Sequence, residues 1–238
     1  MKNASACAKN LNELLKTLPA GEPPDFADED DPVGVLVLSC LMWESTTDKA
    51  LAAYERLFES LTDFNELRVC MPHETAGYLG ARYPLADERS ERLRAILRNI
   101  FLREHEVTLQ PLQAATKRDV KRYLESLEGM VPYIAGRVML LCFEVHTIPV
   151  DELLRRQLIA ADAVDESAAV GEVSSWLSRQ IKARDGRQRH FDLQAWVDRS
   201  GGRTAGRSRR KKAPSARTGR TRRGADPSAH AGAADSAT

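Results

Sequence analysis

The sequence has no run approaching the roughly 20 apolar residues that a membrane-spanning helix needs, although 42% of its 238 residues are hydrophobic. Residues 1–20 lack the charged-then-apolar pattern of a secretory leader, so a cytoplasmic location and no membrane partner are expected. There is no Cys-x-x-Cys pair. The four cysteines, Cys7, Cys40, Cys70 and Cys142, are scattered in a way that suits neither a zinc site nor a disulfide framework. The five histidines are equally dispersed, so neither a metal site nor a cofactor is expected. Cys40 and Cys142 fall inside apolar runs and read as buried, inert thiols. No Asn-Gly-type dipeptide separates alternating strands anywhere, which argues against β-hairpins.

What is present is divided sharply by charge. The formal net charge of +1 conceals ten Lys/Arg against two Asp in residues 201–238, and 25 basic against 32 acidic residues in 1–200. The body is thus net −7 and the tail net +8. The tail is Gly, Ala, Ser, Thr, Pro and Arg, with too little apolar surface to offset chain entropy, so 201–238 is expected to be disordered. Its cations, among them Arg209, Arg210, Lys211 and Lys212, suit phosphate contacts on a nucleic acid; a solubilising extension is the alternative. Residues 1–200 read as the folded domain.

Within that domain the pattern is helical. A short amphipathic helix around Leu11–Leu18 precedes the polar stretch GEPPDFADEDD. Asp31-Pro32 then reads as an N-cap with proline at the first helical position. The following VGVLVLSCLMW is apolar on all sides and, taken alone, fits a buried strand as well as a helix. Thr46-Thr47-Asp48 caps a segment with Ala50, Tyr54, Leu57, Phe58 and Leu61 on one face. Leu93, Ile96, Leu97, Ile100 and Phe101 form a second stripe, and Val120, Tyr123, Leu124 and Leu127 a third. Later stripes run through 153–159, through Val173, Trp176, Leu177 and Ile181, and through 191–197. The fold class expected is all-α.

The most informative stretch is KRDVKRYLES-LEGMV-PYIAGRVMLLCFEVHTIPVDELLRR, residues 117–156. A helix ends near Ser126, a Leu-Glu-Gly-Met-Val turn follows, and Pro132 opens a second helix that leads to Val150-Asp151. Gly129, Met130 and Val131 would present backbone N–H groups and a positive helix end to a phosphate, although an ordinary αα-corner reads the same way. This stretch resembles the helix-hairpin-helix, here within 117–145, of the endonuclease III superfamily of DNA glycosylases. In that superfamily the turn typically reads Leu-Pro-Gly-Val-Gly and a Val-Asp follows at the same distance. Residues 37–50 are similar, more weakly, to the family's Leu-Leu-Ser-Ala-Gln-Ala-Thr-Asp segment, which favours helix for the apolar run. Residues 83–97 are similar to its helix before the hairpin.

The resemblance implies two helical lobes around a cleft. One is formed by the central helices, the other by the N-terminal helix and the segments after Asp151. It also implies double-stranded DNA as partner, nucleoid association, a monomer, and base-excision repair by hydrolysis of the N-glycosidic bond. Asp151 would stabilise charge at C1′ or position water; helix capping alone is the other reading of it. At Tyr133 the lyases of the family carry a lysine, and a phenol cannot form a Schiff base. The resemblance therefore implies a monofunctional glycosylase, with a packing role as the alternative for Tyr133. Leu41 stands where the family has its wedge glutamine, and reads either as an apolar wedge or as core. No cysteine follows Cys142, so the family's iron–sulfur cluster is not expected. Residues 33–38 contain no acid, against the adenine-removing branch. Val131 replaces a glycine, so the turn is expected to differ in shape there. A DNA-binding protein that has lost catalysis is the competing reading, and a helical interaction protein the third.

Overall fold

The computed structural model of the chain describes residues 4–24 and 30–200. The tail cations Arg209, Arg210, Lys211 and Lys212, and the expectation of disorder for 201–238, lie outside those residues. Among the described residues every regular element is helical.

The ambiguous apolar run is a helix, α2 (Pro32–Met42), and its start is the one the sequence marks. Asp31 Oδ1 accepts the Gly34 N–H at 2.9 Å, and Pro32 occupies the first turn, where no N–H is needed. Every residue of α2 is buried, as expected for a helix without a polar face. Its main partner is α8 (Pro132–Cys142), buried from Tyr133 to Cys142. Around this pair pack the amphipathic helices α3 (Thr47–Ser60), α6 (Ala86–Glu104) and α7 (Lys117–Glu125). The short α4 (Phe64–Val69) and α5 (Pro72–Leu79) complete this lobe. The buried stripe of α3 is Ala50, Ala53 and Leu57, while Tyr54 and Phe58 are half-buried at its margin.

A buried cation ties α6 to the end of α2. Arg89 of α6 reaches the C-terminal end of α2, where it donates to the carbonyls of Cys40 and Leu41, and its Nε donates to Pro84 O at 2.8 Å. The last carbonyls of a helix have no intrahelical donor, so a fully buried guanidinium serves here as their cap. Cys40 and Cys142 are buried as expected, and burial pushes both thiols up to about 12.

The second lobe has its own core. It unites α1 (Ala4–Thr17) with α9 (Glu152–Ala160), α10 (Val170–Gln180) and α11 (Gly186–Arg199) around Leu11, Leu154, Leu158, Trp176, Leu177 and Leu193. The two-lobed arrangement expected from the resemblance is therefore present. Helix α11 joins the lobes, since Phe191 enters the first core while Leu193 and Val197 enter the second.

Candidate active site at the seam of the two lobes

The hairpin forms as the sequence suggests. Ser126 ends α7, and the turn closes with the Met130 N–H donating to Leu127 O at 3.1 Å. Gly129 has φ +83°, and a Cβ there would lie 3.3 Å from Ala95 Cβ and from the Arg92 carbonyl oxygen. Both the left-handed backbone and the close seat on α6 require glycine. Arg92 Nη1 donates to Gly129 O at 3.0 Å and Arg103 Nη2 to Ser126 O at 2.9 Å, so α6 clamps the hairpin from beneath.

Val131 does not distort the turn. It lies in extended backbone at φ −109° as the N-cap residue of α8, where a β-branched side chain is at ease. No side chain caps α8, and Pro132 has no N–H. The first intrahelical bond of α8 runs from Ala135 N–H to Val131 O, which leaves the Tyr133 and Ile134 amides as orphan donors of that helix end. Gly129→Ala is expected to destabilise the fold by about 1–3 kcal/mol, the cost of a non-glycine residue held in a left-handed conformation. The shift of the urea midpoint measures it, and an unchanged midpoint would refute the requirement for glycine.

Asp151 stands at the N-cap of α9, and its side chain spans the seam between the lobes. Oδ1 accepts the Leu154 N–H at 2.9 Å, the capping bond of its own helix. Oδ2 accepts the Glu44 N–H at 3.0 Å, from the loop between α2 and α3. Glu44 answers in kind: its Oε1 accepts the Glu152 N–H at 2.9 Å. Two carboxylates thus cap each other's segments across the two lobes. Glu44 sits at φ +54°, a left-handed conformation unusual for a non-glycine residue. Asp151 is only 6% exposed. Burial raises its pKa to about 6 and the neighbouring Glu44 charge adds to the rise, against backbone hydrogen bonds, which lower it.

Tyr133 faces the same seam from the first turn of α8 and is 3% exposed. Its hydroxyl donates to Gln194 Oε1 of α11 at 3.3 Å. Gln194 Nε2 donates in turn to Asp198 Oδ1 at 3.1 Å, and Asp198 Oδ1 also accepts the Thr47 N–H at 3.0 Å. The start of α3 is therefore capped from α11 of the other lobe. Thr46, its N-cap residue, makes no side-chain capping bond, which corrects the local cap expected from Thr46-Thr47-Asp48. Burial, with Asp151 nearby, holds the Tyr133 phenol well above its ordinary pKa. It is a neutral hydrogen-bond donor, without a titrating group near neutrality.

Leu41 is fully buried in α2. Its carbonyl accepts from Arg89 and from the Tyr83 hydroxyl, and its side chain has no exposed surface to offer a duplex. Leu41 is core rather than a wedge, because it lies inside a helix buried on every side. Two surface cavities lie elsewhere. One of about 700 Å³ is lined by Lys117, Cys142, His146 and Arg187, and one of about 460 Å³ by Arg94, Arg98 and Glu128. Neither reaches Asp151 or Tyr133.

Solved structures share this fold. The chain matches an endonuclease III–DNA complex with a TM-score of 0.59 and 15% identity, over 82% of this chain and 85% of that one. This is the fold of the helix-hairpin-helix DNA glycosylases. A thermostable thymine-DNA glycosylase matches at a TM-score of 0.56 and 15% identity, over 82% and 86% of the two chains. The 3-methyladenine DNA glycosylase of H. pylori, bound to 1,N6-ethenoadenine, matches at 0.58 and 12% identity, over 84% and 99%. No model of a known family matches the sequence, and no curated protein sequence does.

Within the glycosylase fold, the structure brings Asp151 and Tyr133 to one seam, with the hairpin turn leading into the helix that carries Tyr133. Glu44, Gln194 and Asp198 join them there. Gln194 and Asp198 carry no sequence signal, whereas Glu44 falls at the aspartate of Leu-Leu-Ser-Ala-Gln-Ala-Thr-Asp once Leu41 is set at its glutamine.

Proposed function

We propose that the chain is a monofunctional DNA glycosylase of base-excision repair, acting on double-stranded DNA. The observation that carries this reading is the placement of Asp151 at a helix start on the lobe seam, beside Tyr133 and next in the chain after the hairpin's second helix. The hairpin would grip a backbone phosphate through the amides at the turn and at the start of α8. The target nucleotide would leave the stack and part the seam, displacing the Tyr133–Gln194 contact; extrusion of this kind costs a few kcal/mol, least at a damaged or mismatched pair. The N-glycosidic bond then breaks with both electrons going to the departing base, which takes up a proton. The Asp151 carboxylate faces the positive charge that develops at C1′. Water forms the new C1′–O bond and gives its proton to that carboxylate, which releases it to solvent as the departed base draws one from solvent, so no net proton is consumed.

Tyr133 occupies the place where a lyase needs an amine, and no lysine lies between Gly129 and Asp151. Base release is therefore expected to leave intact abasic DNA that breaks only on alkali treatment, with no borohydride-trapped adduct. The test is incubation with duplexes carrying a panel of base lesions, with and without alkali and borohydride. Trapping would overturn the monofunctional assignment. Tight binding without release from any lesion would overturn the enzymatic one.

That second outcome corresponds to a helix-hairpin-helix DNA-binding protein without catalysis. One observation favours it: both Asp151 oxygens are already engaged by backbone amides.

A further inference from the structure

We propose that Glu44 is the positioning residue of Asp151: its carboxylate fixes the segment whose amide holds Asp151 Oδ2, and its charge acts on the Asp151 carboxyl through the same contact. This rests on the proposed function only where base release is the readout. Two observations carry it independently. The first is the reciprocal geometry, Glu44 N–H to Asp151 Oδ2 at 3.0 Å and Glu152 N–H to Glu44 Oε1 at 2.9 Å. A backbone amide can present itself to Oδ2 only while residue 44 keeps its orientation, and the side-chain bond to Glu152 is what ties that orientation to α9. The second is the left-handed backbone of Glu44, φ +54°. A non-glycine residue keeps such a conformation only where its surroundings over-determine it.

The other charges around Asp151 do not take this role. Glu152, next in the chain, is neutralised by Arg155 and Arg156 at 2.8 and 3.0 Å. Tyr133 of α8 is a neutral phenol with Arg137, Arg89 and Asp198 around it. Glu44 is thus the acid that presses on Asp151, and it favours the protonated form because two adjacent carboxylates resist joint ionisation.

The full chain serves for the test, with two variants that separate charge from geometry. Glu44→Gln keeps an oxygen for the Glu152 N–H and removes the charge. Carbon-13 NMR titration of the Asp151 carboxyl is expected to show its midpoint fall by about one pH unit in this variant. Glu44→Ala removes the oxygen as well, and should lower kcat about tenfold or more with little change in KM. Glu44→Gln should restore that rate, and its acid limb should move down with the Asp151 midpoint. An unchanged midpoint in Glu44→Gln overturns the electrostatic half whether or not the protein releases bases. A kcat for Glu44→Ala equal to the parent's, or one that Glu44→Gln does not restore, overturns the geometric half.

Discussion

Asp151→Asn is expected to stay folded at pH 7 and to lose base release by about 100-fold or more, the scale for removing one preorganised group that stabilises developing charge. The stability half of this expectation has two opposed parts. In the parent, Oδ1 and Oδ2 accept from Leu154 and Glu44 respectively. Asparagine offers a single oxygen, so one amide loses its acceptor and meets an NH2 instead, at a cost of about 1–3 kcal/mol. Against that, the buried carboxylate is itself a burden. With its pKa raised to about 6 from an unfolded value near 3.9, holding it ionised costs roughly 3 kcal/mol at neutral pH. The substitution removes that cost, and the two parts nearly cancel.

The pH dependence distinguishes them. Between about pH 4 and 6 the native state of the parent binds the Asp151 proton while the unfolded chain has released it. Parent stability therefore falls as pH rises through this window, and the cost is fully present above it. Asp151→Asn has no such slope, so the difference between the two unfolding free energies should change by roughly 3 kcal/mol across the window. Base release by the parent should fall below about pH 6, because the proposed reaction uses the charged form. A variant as active as the parent would remove Asp151 from the chemistry. A parent and variant with parallel stability profiles would mean that the carboxyl is not held as the structure has it.

The parts of this site that could be read in the sequence are those whose local chemistry decides their place. Asp31-Pro32 starts α2 whatever surrounds it, and Gly129 marks the only left-handed position in the hairpin turn. Asp151 caps the helix after it, as Val-Asp-Glu-Leu-Leu-Arg-Arg suggests. The illegible parts depend on what lies across the seam. Arg89 stands among arginines and glutamates on α6 and reads as a solvated charge, until the end of α2 arrives to occupy it. Asp198 looks like a surface acid because the amide it serves is 151 residues away in the chain. The replacement of the family's glycine by Val131 suggests a different turn shape, but the left-handed position of the turn is Gly129 and Val131 lies in extended backbone. Helices α4 and α5, of six and eight residues, are too short to show an apolar period.

The chain ending at Ser200 is expected to bind double-stranded DNA at least about tenfold more weakly than the full chain at 0.15 M salt, with a flatter salt dependence. The reasoning starts from charge. Residues 1–200 are net −7 and residues 201–238 net +8, with ten Lys/Arg in the latter. A duplex is a polyanion, so an acidic body would approach it against repulsion except where local donors, such as the hairpin amides under the proposed reading, would face the phosphates. A basic arm alters this balance by releasing counterions, and each phosphate it neutralises contributes about −0.9 to the slope of log K against log salt. Substituting Arg209, Arg210, Lys211 and Lys212 together by Gln should lower the steepness of that slope by up to about 3.6, if all four engage phosphates. At saturating DNA, kcat for base release should remain that of the full chain, since the proposed chemistry would sit at the seam. Equal affinity and equal slope for the full and shortened chains would place the binding energy in the hairpin and the helices beneath it, and the arm would then be an extension without a share in DNA recognition.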